Sequence, residues 1–326
     1  MPMVTILVAV YNASAYLSQC LDSLLNQTLT DLQIICIDDH STDSSLQLLN
    51  EYRSKDSRIE VLALPENHGQ AYARNEGLKQ ARGEYVCFLD ADDWFAADAL
   101  QQAVGVFLQH PATDCTLFDV AMVSNDHTDL YPLPAFEQLS GEEAFRLSLD
   151  WQIHGVYMVR TSLHQQYPYD DSCRLYSDDN TTRIHFLKSR QVRHCSGIYY
   201  YRQHAASATH AVSVRRFDFL KANESMKHQL QQLGVDRLVL QQWETTRMLV
   251  LVDTYMFYHC HGHALQASER AYGLNELHRV WHTIDHTLLL PTKTRKFGYR
   301  LMPSWPLFRL QEWLYFTLRG FLGKNK

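Results

Sequence analysis

Residues 85–94, YVCFLDADDW, join a short apolar run to three aspartates within four positions. An apolar run of this length closed by polar turn residues is the pattern of a buried strand. Tyr85–Leu89 is therefore expected to be a strand that opens into an acidic turn at Asp90, Asp92 and Asp93. Carboxylates this close repel one another unless a cation or several donors neutralise them. A hard divalent ion such as Mg²⁺ or Mn²⁺ would do so while keeping positions open for phosphate. The plainer alternative is a solvated turn in which Asp92 or Asp93 caps a helix from Phe95.

Upstream the same grammar repeats. Val4–Val10 is a β-branched run ended by Tyr11-Asn12, and Leu32–Ile37 is a second run ended by Asp38-Asp39-His40-Ser41. Ile59–Leu64 reads as a third strand. Between them, apolar residues recur at helical spacing in three places. These are Tyr16–Leu25, a segment through Leu46, Leu49 and Tyr52 with Ser41 or Thr42 as N-cap, and Gln70–Ala81 closed near Gly83. Strands alternating with helices predict an α/β fold with a mostly parallel sheet, whose ligands bind beyond the carboxyl ends of the strands. Three of those ends carry polar clusters. Asp38 or Asp39 could accept an N–H from a nucleotide base or a ribose hydroxyl, and capping of the next helix is the competing role. No GxGxxG or GxxxxGK[ST] loop follows the first strand, which argues for phosphate held through a metal rather than a glycine nest.

The 326 residues carry a net charge of −6 with 46% hydrophobic residues. That balance argues against a nucleic-acid binder, which needs a basic surface. Seven cysteines without a CxxC pair argue against a zinc or disulfide framework, and Cys36 and Cys87 lie in apolar runs as small hydrophobes. The first ten residues lack the marks of a signal peptide, so a cytoplasmic location is expected.

ILVAVYNASAYLSQCLDSLLNQT, IICIDDHSTDSS, GQAYARNEGLKQARGEYVCFLDADDW and YYYRQHAASAT together resemble glycosyltransferase family 2, in the family's order and spacing. The resemblance covers roughly residues 3–110 and 150–210. It implies a GT-A type fold, a Rossmann-like sheet flanked by helices, and inverting transfer from a nucleotide sugar. After Ser207 the chain turns helical and rich in Gln, Leu and His, so residues 1–210 are expected to form the catalytic domain and 211–326 a helical C-terminal region outside the shared motifs. Val10, Tyr11 and Asn12 match the loop against the nucleoside, Asp39 or Asp38 the acid that reads the base, and Arg74 a residue facing the nucleotide. Asp90-Ala91-Asp92 matches the DxD motif, with Asp92 and Asp90 at the metal, and His204 matches a histidine near the metal or diphosphate. Arg202 would add a phosphate contact. Asp179, with Asp178 second, matches the acid that acts as catalytic base at the opening of a helix. His40 departs from the family, standing where glycine is usual. The implied partners are a UDP-sugar donor, Mg²⁺ or Mn²⁺, and a glycan or lipid-linked acceptor in polysaccharide or lipopolysaccharide synthesis. A catalytically silent nucleotide-sugar binding module has no need of both acidic pairs. A sugar nucleotidyltransferase would show a glycine-rich loop where Tyr11-Asn12-Ala13-Ser14 stands. Donor choice is expected to lie between about 110 and 180, including Trp151 and His154.

From Lys293 to Lys326 eight basic residues face Glu312 alone. Leu310, Trp313, Leu314, Leu318 and Phe321 share one helical face, with Arg309, Glu312 and Arg319 largely opposite. A basic amphipathic helix suits an anionic membrane surface, which would make the protein peripheral at the inner membrane face. Docking of that helix on the protein body is the alternative.

Overall fold

The computed structural model describes residues 1–124, 126–174, 176–204, 212–300 and 302–324. It divides into two compact units, Met1–Arg174 with Asp178–Ser207, and Leu175–Ser177 with Ala208–Lys326.

In the first unit the elements are, in order, β1 (Val4–Val10), α1 (Leu17–Leu25), β2 (Leu32–Asp38), α2 (Ser45–Lys55), β3 (Ile59–Ala63), α3 (Gln70–Leu78), β4 (Tyr85–Phe88), β5 (Trp94–Phe95) and α4 (Ala99–Gln109). There follow β6 (Cys115–Val123), β7 (Thr128–Leu130), β8 (Gln138–Leu139), α5 (Gly141–Leu149), β9 (Tyr157–Arg160), α6 (Thr161–Gln166), α7 (Asp178–Lys188) and β10 (Val192–Arg202). The sheet order is β3-β2-β1-β4-β9-β6-β10-β5, with β7 on β6 and β8 on β10. Strands β1, β2, β3 and β4 are mutually parallel. Because β9 is antiparallel to both β4 and β6, and β10 is parallel to β6, strands β6 and β10 again run with β1. The carboxyl ends of β1, β2, β4 and β10 therefore share one rim, and the chain reverses its direction of travel across the sheet at β1. Ligand crevices of open α/β sheets form at such a point.

Strands β1, β2 and β4 are buried on both faces, β2 at every position, while the edge strand β3 is mostly half-buried. Apolar clusters cover each face, one under α1 and α4, the other under α3 and α5. Cys36 and Cys87 are core residues. Two local readings shift. Helix α2 begins at Ser45 rather than near Thr42, because the Asn12 carboxamide and the Asp43 carboxylate hold 41–45 as a loop. Trp94-Phe95 pairs with Tyr199-Tyr200 as a strand, so the helix expected from Phe95 starts at Ala99.

The second unit is helical: α8 (Asp218–Gln232), α9 (Arg237–His261), α10 (Ala267–Trp281), α11 (Pro291–Thr294) and α12 (Trp305–Phe321). Its core joins Phe217, Met248, Leu251, Tyr255, Trp281, Phe308 and Phe316. On α12 the docked side is not the leucine stripe. Phe308, Gln311, Glu312 and Phe316 are buried, and the leucines face outward. Burial pushes the Glu312 carboxyl up to about 8. The folded unit thus prefers the protonated form, a contribution complete below about pH 4.5 and lost as pH rises toward 8. Glu312→Gln should leave the melting temperature at pH 5 nearly unchanged. Between about pH 5 and 8 it should remove a loss of about 1.4 kcal/mol per pH unit, seen as a flatter melting profile. Parallel profiles for the two proteins would refute this.

Candidate active site

Asp90 follows β4 on the shared rim. Its Oδ1 accepts from Gln70 Nε2 at 2.7 Å and from Arg74 Nη2 at 2.5 Å. Arg74 is 1% exposed, with its guanidinium 4.1 Å from the Phe88 ring centre and 5.4 Å from that of Tyr169. Burial raises the Asp90 pKa, Arg74 opposes it, and Asp92 and Asp178 push it further up. Asp90 therefore feels two further acids against the one guanidinium that pairs with it. The excess negative charge favours a cation arriving from outside.

The other two aspartates of the turn part company. Asp93 faces inward at 1% exposure, its Oδ2 accepting from the Tyr199 hydroxyl and its Oδ1 from the Arg202 N–H, each at 2.7 Å. Burial and Asp90 lift it to about 8. Asp93 is thus a strut between the turn and β10 rather than a third open ligand. Asp92 faces the crevice and meets His204 Nε2 at 2.9 Å through Oδ2. The His204 ring stacks on Tyr16, 5.0 Å between centres, and its Nδ1 is buried without a partner. Arg202 donates to the Asp92 carbonyl at 2.8 Å and to Gln19 at 2.5 Å, between the rings of Tyr16 and Trp94. Its guanidinium braces the turn against α1.

On the nucleoside side, Asn12 takes a left-handed φ of 50°, and its Oδ1 accepts from the backbone of Thr42 at 2.7 Å. Ser41 and Asp43 accept in return from the amides of Asn12 and Ser14, so the loops after β1 and β2 are laced together. Tyr11 stands 53% exposed above them. Val10 is buried and contributes its carbonyl, which accepts from Asp39 N–H. Asp39 accepts from the amides of His68 and Gly69 at 2.9 and 2.8 Å and from Asn67 at 3.0 Å. Gly69 opens α3 at φ 96°, a conformation that favours glycine. Asp38 accepts from Ser41 N–H at 3.1 Å through Oδ2 and keeps Oδ1 buried and unpartnered. His40 accepts the turn with φ 62°, as its place in a glycine position requires.

Asp178 and Asp179 open α7, where the helix N-terminus favours carboxylates. Asp178 lies within the electrostatic reach of Asp90 and Arg74. Burial lifts Asp179 to about 7, opposed by Arg183 and assisted by Asp178. Arg183 reaches over the Trp151 ring, 5.6 Å from its centre. Trp151 is 49% exposed with φ 55°, a strained setting for a bulky side chain. His154 is buried, and desolvation lowers it to about 4. Gln70, Tyr16 and Tyr199 were not singled out from the sequence. All three fall inside the motifs of the family resemblance, but which side chain each one meets depends on pairings between distant elements.

The family model described as "Glycosyl transferase family 2" matches residues 5–167. A Haemophilus influenzae protein, "Uncharacterized glycosyltransferase", is 44% identical over 110 residues, 34% of this chain and 44% of that protein. The poly(ribitol-phosphate) beta-glucosyltransferase of Bacillus spizizenii is 46% identical over 100 residues, 30% of this chain and 16% of that protein. The chain thus spans less than half the length of these relatives. The structure of Staphylococcus aureus TarS 1-349 in complex with UDP-GlcNAc has a TM-score of 0.78 at 20% identity, covering 99% of this chain and 93% of that one. At that identity the likeness speaks for the fold, which is of the same mixed α/β type with a helical C-terminal region.

Proposed function

The chain belongs to glycosyl transferase family 2, and on that footing we propose that it transfers a sugar, with inversion, from a UDP-sugar to a hydroxyl of a glycan or lipid-linked acceptor in polysaccharide synthesis. The observation that carries this reading is the convergence of Asp90, Arg74, Asp92 and His204 on one rim, with Asp178 in the same electrostatic field. The UDP-GlcNAc held by TarS and the polymer substrate in the name of the Bacillus relative support donor and acceptor class.

The rim suits a divalent ion. Among the described residues no three His, Cys, Asp or Glu side chains form a cage. Mg²⁺ and Mn²⁺ shared with a diphosphate need only one or two protein ligands. Asp92 Oδ2 and His204 Nε2, 2.9 Å apart, supply such a pair beside Asp90, and a bound ion would replace the hydrogen bond between them. A bound ion there would offset charge on the departing diphosphate.

The chain's own groups account for the remaining steps. Tyr11 offers an exposed ring to the base, and the laced loops hold its position. Arg74 is kept charged by Asp90 and fixed by two rings. Asp179 accepts the proton of the acceptor hydroxyl as the new carbon–oxygen bond forms. The bond from the anomeric carbon to phosphate breaks, and its electron pair leaves with UDP. A carboxylate held near 7 is well matched to that task.

The pH profile of kcat tests the base. A panel of UDP-sugars identifies the donor turned over, and kcat should then rise with pH along a limb near 7. Asp178→Asn removes a negative neighbour of Asp179 and should move that limb to lower pH by roughly half a unit or more. A limb that stays in place argues that neither acid is the titrating base.

A further inference from the structure

Helix α12 turns its apolar stripe to solvent. Leu307, Leu310, Leu314, Leu318 and Phe321 follow helical spacing along one side, and Trp313 flanks them. Their exposures run from 39% at Leu314 to 85% at Phe321. The opposite side is already occupied, with Phe308 and Phe316 packed against Tyr255 and Glu312 fully buried. A contiguous exposed apolar surface of this kind marks a contact with another phase or molecule.

Charge selects the occupant. The described part of residues 293–324 holds seven Lys and Arg, and its one acid, Glu312, is buried. The accessible surface of the segment therefore carries positive charge only, in a chain whose net charge is −6. Lys293, Arg295, Lys296 and Arg300 are exposed, and Phe297 stands 54% exposed among them. A second copy laid on this face would bring like charges together. No helix among the described residues is long and apolar enough to cross a bilayer, so contact in the plane of the surface is the arrangement that fits.

We propose that α12 docks on an anionic phospholipid surface, its leucine stripe and Trp313 entering the interface while the basic residues meet the headgroups. This attachment is separate from sugar transfer, and UDP affinity should be the same with and without it.

Flotation of the full chain with vesicles tests it, comparing phosphatidylcholine alone with phosphatidylcholine containing about 30% phosphatidylglycerol. Binding to the anionic vesicles should exceed binding to the neutral ones by at least about tenfold and weaken steeply with salt. Leu314→Glu with Leu318→Glu should abolish it, and Arg295→Glu with Lys296→Glu should cut it about tenfold with the apolar stripe intact. The second pair lies on exposed positions, so loss of binding there is not loss of folding. Equal binding to both vesicles, or no binding by the wild-type chain, overturns the proposal. So does a wild-type dimer in sedimentation velocity that the Leu314→Glu, Leu318→Glu variant dissociates.

Discussion

Asp179→Asn should lower turnover by about two to four powers of ten while UDP affinity stays within about twofold. The amide fills the space of the carboxyl but cannot take a proton, so the loss should fall on the chemical step. The fold should tolerate the change. With its pKa lifted to about 7, Asp179 is already part-protonated at neutral pH, so a neutral group there costs little. A melting temperature within a few degrees of wild type, beside a kcat loss of this size, separates a chemical role from a structural one. Asp178→Asn, whose side chain lies nearer the field of Asp90 and Arg74, should lose far less turnover. Undiminished turnover in Asp179→Asn would transfer the base role elsewhere.

The second large effect is expected at Arg74. Its guanidinium is buried, paired with Asp90 at 2.5 Å and enclosed by Phe88 and Tyr169. Arg74→Met keeps the packing volume and removes the charge. Breaking a fully buried pair from one side typically costs about 3–5 kcal/mol, and the cost here should be smaller because Asp90 is 27% exposed and can protonate. Burial already raises the Asp90 pKa, so without Arg74 the carboxyl should take up a proton and cease to contribute negative charge at the rim. Donor affinity should then fall about a hundredfold or more, with stability down by roughly 1–3 kcal/mol. Asp90→Asn in the Arg74→Met background should recover much of the stability and none of the affinity. If the double variant is no more stable than Arg74→Met, the pair is not the coupled unit described.

The parallel half of the sheet was legible because its determinants are local. Four apolar runs, three of them ended by polar clusters, announce strands whose ends must share a rim once the crossovers are right-handed. His40 was marked by the family resemblance alone, as a side chain standing where glycine is usual, and the turn does take a left-handed φ of 62° there. Asp93 was not legible as a strut. Its partners, Tyr199 and the Arg202 amide, arrive on β10 more than a hundred residues later, beyond what spacing encodes. The closure of Asp39 by Asn67, His68 and Gly69 is hidden in the same way. Helix α12 shows a third kind of limit. Periodicity revealed two faces but not which is docked, and the aromatic pair Phe308 and Phe316 outweighed the longer leucine stripe.

Titration of UDP into the protein by calorimetry, with and without Mn²⁺, tests most directly whether the acids of the shared rim form a metal-assisted diphosphate site. The expected result is UDP binding at least about tenfold tighter with Mn²⁺, a gain abolished by Asp92→Asn. UDP binding of equal strength with and without the ion, or no UDP binding in either case, would contradict the account.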